Sequence, residues 1–273
     1  MSSGNYNPKE YWEERAKMFG VFAAGHINKE LQNYNRMLTK RVILKILKNQ
    51  NKFSKLRVLD VGCGTGWSTI LLNNIPSIEE IIAFDIAKNM IMIARNQAIS
   101  NPKVHFICAD TKKLPFHANL FDLVTSIRVL QHVVSKKDFR EAVKEIVRVT
   151  KKDGRILIIE QIGKRYKKSK YLTVRSKEDY IDAFKGCILV DKIKINPFSS
   201  FLLKILEGFN SFKLKSAKTH VLENTSIRND ITSFSLVLKI ILKISKPIDL
   251  IPFAVPDLIL GSCDTALLFK KVV

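Results

Sequence analysis

VLDVGCGTGWST, residues 58–69, is the stretch on which the reading of this chain turns. An apolar, β-branched run ends in an acid, Asp60, and opens into a turn with glycine at 62, 64 and 66. Glycine-rich turns after a strand often hold phosphate. A nucleotide-phosphate loop needs the GxxxxGK[ST] spacing, which is absent. A dinucleotide turn needs a small third residue so that helix and strand approach closely, and Trp67 stands at that position. A carboxylate directly before the turn would also repel a pyrophosphate, which relies on backbone N–H groups. The same carboxylate suits a ligand that carries positive charge.

Outward from this turn the pattern alternates. Short runs rich in β-branched residues fall at 57–61, 81–85, 104–110, 121–127 and 155–160, the last after a KDG turn at 152–154. Amphipathic segments at 65–73, 88–99 and 136–150 separate them and read as helices. This predicts a parallel sheet covered by helices on both faces, with ligands gathered at the carboxyl ends of the strands. Two of those ends carry acids. Asp85 can accept two hydrogen bonds from a ribose diol, and Asp110 can receive an adenine amino group.

VLDVGCGTG, AFDIAKNMI, FICADTKKLPF, FDLVTSIRVLQHV and VTKKDGRILIIE occur in that order between residues 58 and 160. In these motifs the chain resembles the class I S-adenosylmethionine-dependent methyltransferases of the type 11 kind. The resemblance implies an α/β, Rossmann-like, seven-stranded sheet that is mostly parallel. Its last strand would be antiparallel, in a hairpin of 188–195 with 265–271. It implies S-adenosylmethionine as cofactor. Asp60, Gly62, Gly64 and Gly66 would line its methionine and ribose part, Asp85 would bind the ribose hydroxyls, and Ile86 would border the adenine. Asp110 and the backbone of Thr111 would recognise the adenine edge. Ser126 and Ile127 would lie near the transferring methyl. Tyr11 and Trp12, in a first helix over 8–19, resemble an aromatic lid. Methyl transfer needs no metal, and no metal-ligand cluster is visible. His132 is the best-placed imidazole for a base, and Glu160, at the end of the fifth strand, is a second candidate facing the acceptor. Arg128 departs from the small or apolar residue usual there, and would meet an anionic acceptor or make a salt bridge.

The rest of the chain frames the acceptor. Residues 1–50 read as an N-terminal helical lid with a longer helix over 27–48. Its apolar face is Leu31, Tyr34, Leu38, Val42 and Ile46, and Arg36, Lys40 and Lys48 lie on the other. Residues 51–195 and 263–273 form the cofactor-binding core. Residues 196–262 are a helical insertion before the last strand, taken as a substrate cap. The net charge is +21. Basic clusters at 36–57 and 163–177 leave an RNA methyltransferase as an alternative, although no appended RNA-binding module is recognisable. A non-catalytic, cofactor-binding or membrane-peripheral protein is the alternative of another class. The favoured acceptor is a small molecule or a lipid or glycan precursor. Residues 1–20 hold no continuous apolar run, so no signal peptide is expected there, and no ordinary membrane-spanning helix is expected because Lys239 and Lys243 interrupt the nearest candidate at 231–245. It is expected in the cytoplasm, with peripheral contact to an anionic membrane as an option. Its four cysteines, Cys63, Cys108, Cys187 and Cys263, are spaced for neither zinc nor a disulfide framework.

Overall fold

The computed structural model describes residues 6–24, 29–48, 55–98, 101–164, 167–195 and 262–273. The proposed cap at 196–262 and the apolar stretch at 231–245 fall outside these, apart from Ser262. Helices α1 (Pro8–Phe19) and α2 (Lys29–Lys48) precede the sheet. Then β1 (Leu56–Val61), α3 (Trp67–Asn73), β2 (Ile78–Asp85), α4 (Lys88–Ala98), β3 (Val104–Cys108), β4 (Phe121–Ile127), α5 (Lys136–Val149) and β5 (Thr150–Gly163) alternate as expected. Two short strands, β6 (Lys167–Lys168) and β7 (Thr173–Val174), pair with each other. Helix α6 (Lys177–Ala183), β8 (Cys187–Lys194) and β9 (Ser262–Lys271) complete the described chain.

The main sheet has seven strands in the order β3-β2-β1-β4-β5-β9-β8. All pairings from β3 to β5 are parallel, and β9 runs antiparallel to both β5 and β8. This is the Rossmann-like sheet with an antiparallel last strand that the motifs imply. Neighbouring residues of β1 explain its covering on both sides. Val58 joins a cluster with Tyr34, Leu38 and Ile46 of α2 and Leu72 of α3. Leu59 joins the opposite cluster with Phe139, Val143 and Ile146 of α5. Successive side chains of a strand point to opposite faces, so a near-continuous apolar run is what a doubly covered strand requires.

Sequence features set the helix starts. Asn7 accepts from the backbone N–H groups of Lys9 and Glu10 ahead of α1. Ser176 and Asp179 form a reciprocal capping box at α6. The KDG segment behaves differently from a free turn. Strand β5 begins at Thr150, and Asp153 adopts φ 62° inside it. The pairing with β4 jumps from Phe121↔Thr150 to Leu123↔Arg155. The extra residues bulge out of the ladder, and a Cβ on Gly154 would stand 2.8 Å from the Lys151 carbonyl oxygen.

Helix α1 is tied to the core by a cap supplied from a distance. The Glu13 carboxylate accepts from the N–H groups of Lys88 at 2.6 Å and Asn89 at 3.0 Å, at the start of α4. A carboxylate there satisfies helix-end donors and favours the positive end of the helix dipole. Ala16 and Ala23 are buried beside Met90 in the same contact. Replacing Glu13 with Ala should cost about 1 kcal/mol of unfolding free energy. It should also speed amide exchange across residues 8–19 relative to the sheet. Hydrogen-exchange mass spectrometry with urea titration would read both.

Candidate active site

A cleft of about 1420 Å³ opens at the carboxyl ends of β1, β2, β3 and β4. Its floor is the glycine turn. Gly62, Gly64 and Gly66 have φ of 61°, 54° and 88°, a region open to glycine at little cost. Close contacts add a second constraint. A Cβ would lie 2.5 Å from Val129 at Gly62, 2.5 Å from Ala24 at Gly64 and 3.0 Å from Ala94 at Gly66. The turn therefore sits against the loop after β4, the segment after α1, and helix α4 at once.

Two buried carboxylates hold this turn. Asp85 Oδ2 accepts from the Gly64 N–H and Oδ1 from the Ala87 N–H, each at 3.0 Å. Burial pushes its carboxyl up to about 6, while these amides pull it down and Glu13 adds a smaller upward push. Asp60 Oδ2 accepts from the hydroxyls of Ser68 at 2.8 Å and Thr69 at 2.7 Å, and Oδ1 from that of Thr125 at 2.9 Å. Burial raises the Asp60 pKa, and the three hydroxyls oppose that rise.

Most of the residues named from the sequence meet in this cleft. Tyr11, Trp12, Gly62, Gly64, Asp85, Ile86, Asp110, Thr111, Ile127 and His132 all line it. Four others are not among its lining residues. Asp60 points back into the strand–helix junction, where hydroxyls surround it. Gly66 is turned onto α4. Ser126 is fully buried, with its hydroxyl lacking a hydrogen-bond partner. Glu160 lies beneath the wall, which corrects the expectation that it faces the acceptor. Its carboxylate accepts from the backbone N–H groups of Val129, Leu130 and Gln131 at 3.0, 2.8 and 3.2 Å. Burial pushes it up to about 8, against the pull of those amides and of Arg175.

Glu160 instead shapes the loop that carries His132. Arg175 reinforces the same loop by donating to the carbonyls of Leu130 at 3.0 Å and Val133 at 2.5 Å. The Gln131 side-chain oxygen accepts from the Gln161 N–H at 3.0 Å. His132 Nδ1 lies 2.8 Å from the Tyr171 carbonyl oxygen. A carbonyl only accepts, so Nδ1 carries the proton and Nε2 keeps its lone pair. Burial lowers the His132 pKa, which favours the neutral ring. The Trp12 ring meets the imidazole edge-on, with centroids 5.0 Å apart. Tyr11 stacks on Tyr171 at 4.7 Å, and Tyr6 packs edge-on against both.

Two cationic residues behave unlike each other. Arg128 adopts φ 57° and pairs with Asp264 on β9, with Nε 3.1 Å from Oδ2. The salt-bridge reading of Arg128 is the one the geometry bears out. Helical periodicity puts Arg36 on the outer face of α2, yet it lines the cleft with its guanidinium 5.7 Å from the Trp67 ring centroid. The missed signal is a polar stripe. Gln32, Asn35, Arg36 and Thr39 recur at i, i+3, i+4 and i+7, and three of them are buried. Sequence reasoning also misses Tyr6, Tyr171 and Arg175, because no local pattern distinguishes an aromatic or Arg docked from a distant loop. Among the described residues, no cluster of His, Cys, Asp and Glu could hold a metal ion. No described helix is long and apolar enough to cross a membrane.

The buried Glu160 makes a pH-dependent prediction. Its folded pKa is raised from 4.5 to about 8, so its neutral form contributes stability below pH 4.5 that is lost as pH rises through 8. Glu160→Gln cannot titrate. The wild-type unfolding free energy minus that of Glu160→Gln should therefore fall by up to about 1.4 kcal/mol per pH unit inside that window. Urea titrations at pH 5, 6, 7 and 8 measure this difference, and a flat difference would contradict it.

The comparisons agree with the geometry. Residues 59–158, which contain the turn and most of the cleft floor, match the family model described as a methyltransferase domain. The chain is similar to malonyl-[acyl-carrier protein] O-methyltransferase of Buchnera aphidicola subsp. Baizongia pistaciae, at 29% identity over 72% of this chain and 78% of that protein. It is 32% identical to demethylmenaquinone methyltransferase of Staphylococcus aureus (strain MRSA252), over 42% of this chain and only 47% of that protein. Among solved structures, the fold resembles phosphoethanolamine N-methyltransferase 2 of Haemonchus contortus, solved with S-adenosyl-L-methionine. That match has a TM-score of 0.61 and 16% identity, over 99% of this chain and 61% of that one. The acid-held glycine turn, the strand order and these matches agree: residues 59–158 form a methyltransferase domain, set in a sheet of the class I S-adenosylmethionine-dependent kind.

Proposed function

We propose that this chain methylates a small organic acceptor, free or linked to a carrier or lipid, and that the cleft on the glycine turn is where transfer occurs. The observation that carries this reading is Asp85. Each of its oxygens accepts one backbone N–H and retains a lone pair beside the cleft, which suits a ribose diol. Gly62 and Gly64 line the cleft, and their lack of a Cβ lets Val129 and Ala24 close against the turn along which the cofactor would lie. Asp110 accepts from the Lys112 N–H at 2.9 Å through Oδ1, and Oδ2, 3.8 Å from Lys112 Nζ, has lone pairs to offer an adenine amino group. Ile86 and the Thr111 backbone border that ring. Asp60 and Gly66 serve the cofactor by shaping the turn.

S-adenosylmethionine, when bound, supplies a methyl group on a positive sulfur that needs no further activation. The chain's own task is alignment, exclusion of water and removal of one proton. His132 suits the last of these. Its Nδ1 is fixed by the Tyr171 carbonyl, and its Nε2 can take the proton that leaves an O–H or N–H acceptor. Gln131 Nε2 stands 3.4 Å from that nitrogen. Tyr6, Tyr11, Trp12 and Tyr171 exclude water from that end of the cleft. The two curated relatives named above act, by their names, on a malonyl carrier protein and a demethylmenaquinone, which supports an acceptor other than RNA.

Incubation with methyl-labelled S-adenosylmethionine and fractionated cell extract tests the acceptor class. Label should enter the organic or small-molecule fraction; label confined to RNA would overturn the reading. For the cofactor, calorimetry should show Asp85→Ala binding S-adenosylhomocysteine at least tenfold more weakly than wild type, which is about 1.4 kcal/mol. Folded wild type that binds none would overturn the cofactor assignment.

A further inference from the structure

The polar stripe on α2 ends in two side chains without an internal explanation. Gln32 is only 3% exposed, lines the cleft, and has neither its amide nitrogen nor its amide oxygen hydrogen-bonded. A buried amide left without partners is costly, and such groups are uncommon in folded proteins. One turn later on the same face, Arg36 is half-buried and lines the same cleft. It rests over the Trp67 ring and makes no ion pair among the described residues. Burial alone lowers its pKa, with no neighbouring carboxylate acting on it. Two other cations of the cleft differ. Arg128 is matched by Asp264, and Lys112 lies near Asp110 and Asp138.

We propose that Gln32 and Arg36 form a seat for a carboxylate, built on α2 against the glycine turn and filled only when ligand enters the cleft. The planar guanidinium fork matches a carboxylate, and the Gln32 amide supplies a further donor. Its amide oxygen can accept from an ammonium or hydroxyl beside that carboxylate. The neighbouring Arg128 is already committed to Asp264, so Arg36 supplies the charge of this seat. The carboxylate has two sources: the amino-acid tail of the cofactor, which rests on the proposed reading of the cleft, or the acceptor itself.

The test uses the full chain, with Arg36→Met and Gln32→Leu as variants and circular dichroism as the check on folding. Gln32→Leu removes an unpartnered buried amide, so it should fold at least as well as wild type. Calorimetry compares S-adenosylhomocysteine with 5′-methylthioadenosine, which shares the adenosine and thioether but lacks the amino-acid tail. At least tenfold weaker homocysteine binding in both variants, with methylthioadenosine within twofold of wild type, assigns the seat to the cofactor tail. Unchanged binding of both nucleosides directs attention to the second arm, in which sodium malonate is titrated into protein loaded with S-adenosylhomocysteine. Malonate binding by wild type that Arg36→Met abolishes assigns the seat to the acceptor. No change in either arm overturns the proposal. If wild type binds neither nucleoside, the cofactor reading falls separately, and malonate titration of the free protein still decides the seat.

Discussion

Asp60 and Asp85, two buried carboxylates on adjacent strands, hold the glycine turn between them. Asp85 fixes the turn from the side of β2, through the Gly64 and Ala87 amides. Asp60 fixes the helix beyond the turn, joining α3 to β4 through three hydroxyls. Burying a carboxylate is unfavourable unless donors surround it, and here the donors are the groups whose positions matter. The turn is thus set by the protein before any ligand arrives. Its glycines allow three other segments to press against it, so the cleft floor, the α1 side and the loop after β4 are positioned together.

The acceptor side follows the same logic with a third buried acid. Glu160 collects three consecutive amides, and Arg175 collects two carbonyls of the same loop. Between them they satisfy the backbone of a segment with little regular structure of its own. His132 is a member of that loop, and its ring orientation depends on Tyr171, which a separate two-stranded ribbon presents. Glu160 and Arg175 thus act through the backbone they hold, while the cleft itself is lined by aromatic rings, glycine backbone, the His132 imidazole and charged side chains that include Arg36, Asp85 and Asp110.

Much of this is legible in the sequence because it is local. Strand runs, the cap at Ser176 and the glycine rhythm depend on neighbours within a few positions. The alternation then leaves few topologies, since parallel crossovers share one hand. The features that escape depend on distance along the chain. Nothing near Glu160 says that its oxygens turn back under residues 129–131 instead of facing a ligand. Nothing near Arg36 says that the polar side of α2 borders a cleft. The apolar stripe of that helix is plain in the sequence, and Tyr34, Leu38 and Ile46 do face the core. The second, polar stripe faces the cleft, and helical periodicity alone does not separate a wet face from a ligand-binding one. Arg128 is a similar case, because its partner Asp264 is 136 residues away.

The position of β9 has a consequence for how the chain is made. In space it lies between β5 and β8, yet in sequence it follows β8 by the whole of 196–261. While that stretch is being synthesised, β5 has one open edge and β8 has no partner in the sheet. Open edges of apolar strands are where chains associate wrongly. The sheet can close only by receiving an interior strand late, through contacts of long sequence separation, which are slow to form. Closure of the sheet therefore waits on β9, whose pairings with β5 and β8 complete it.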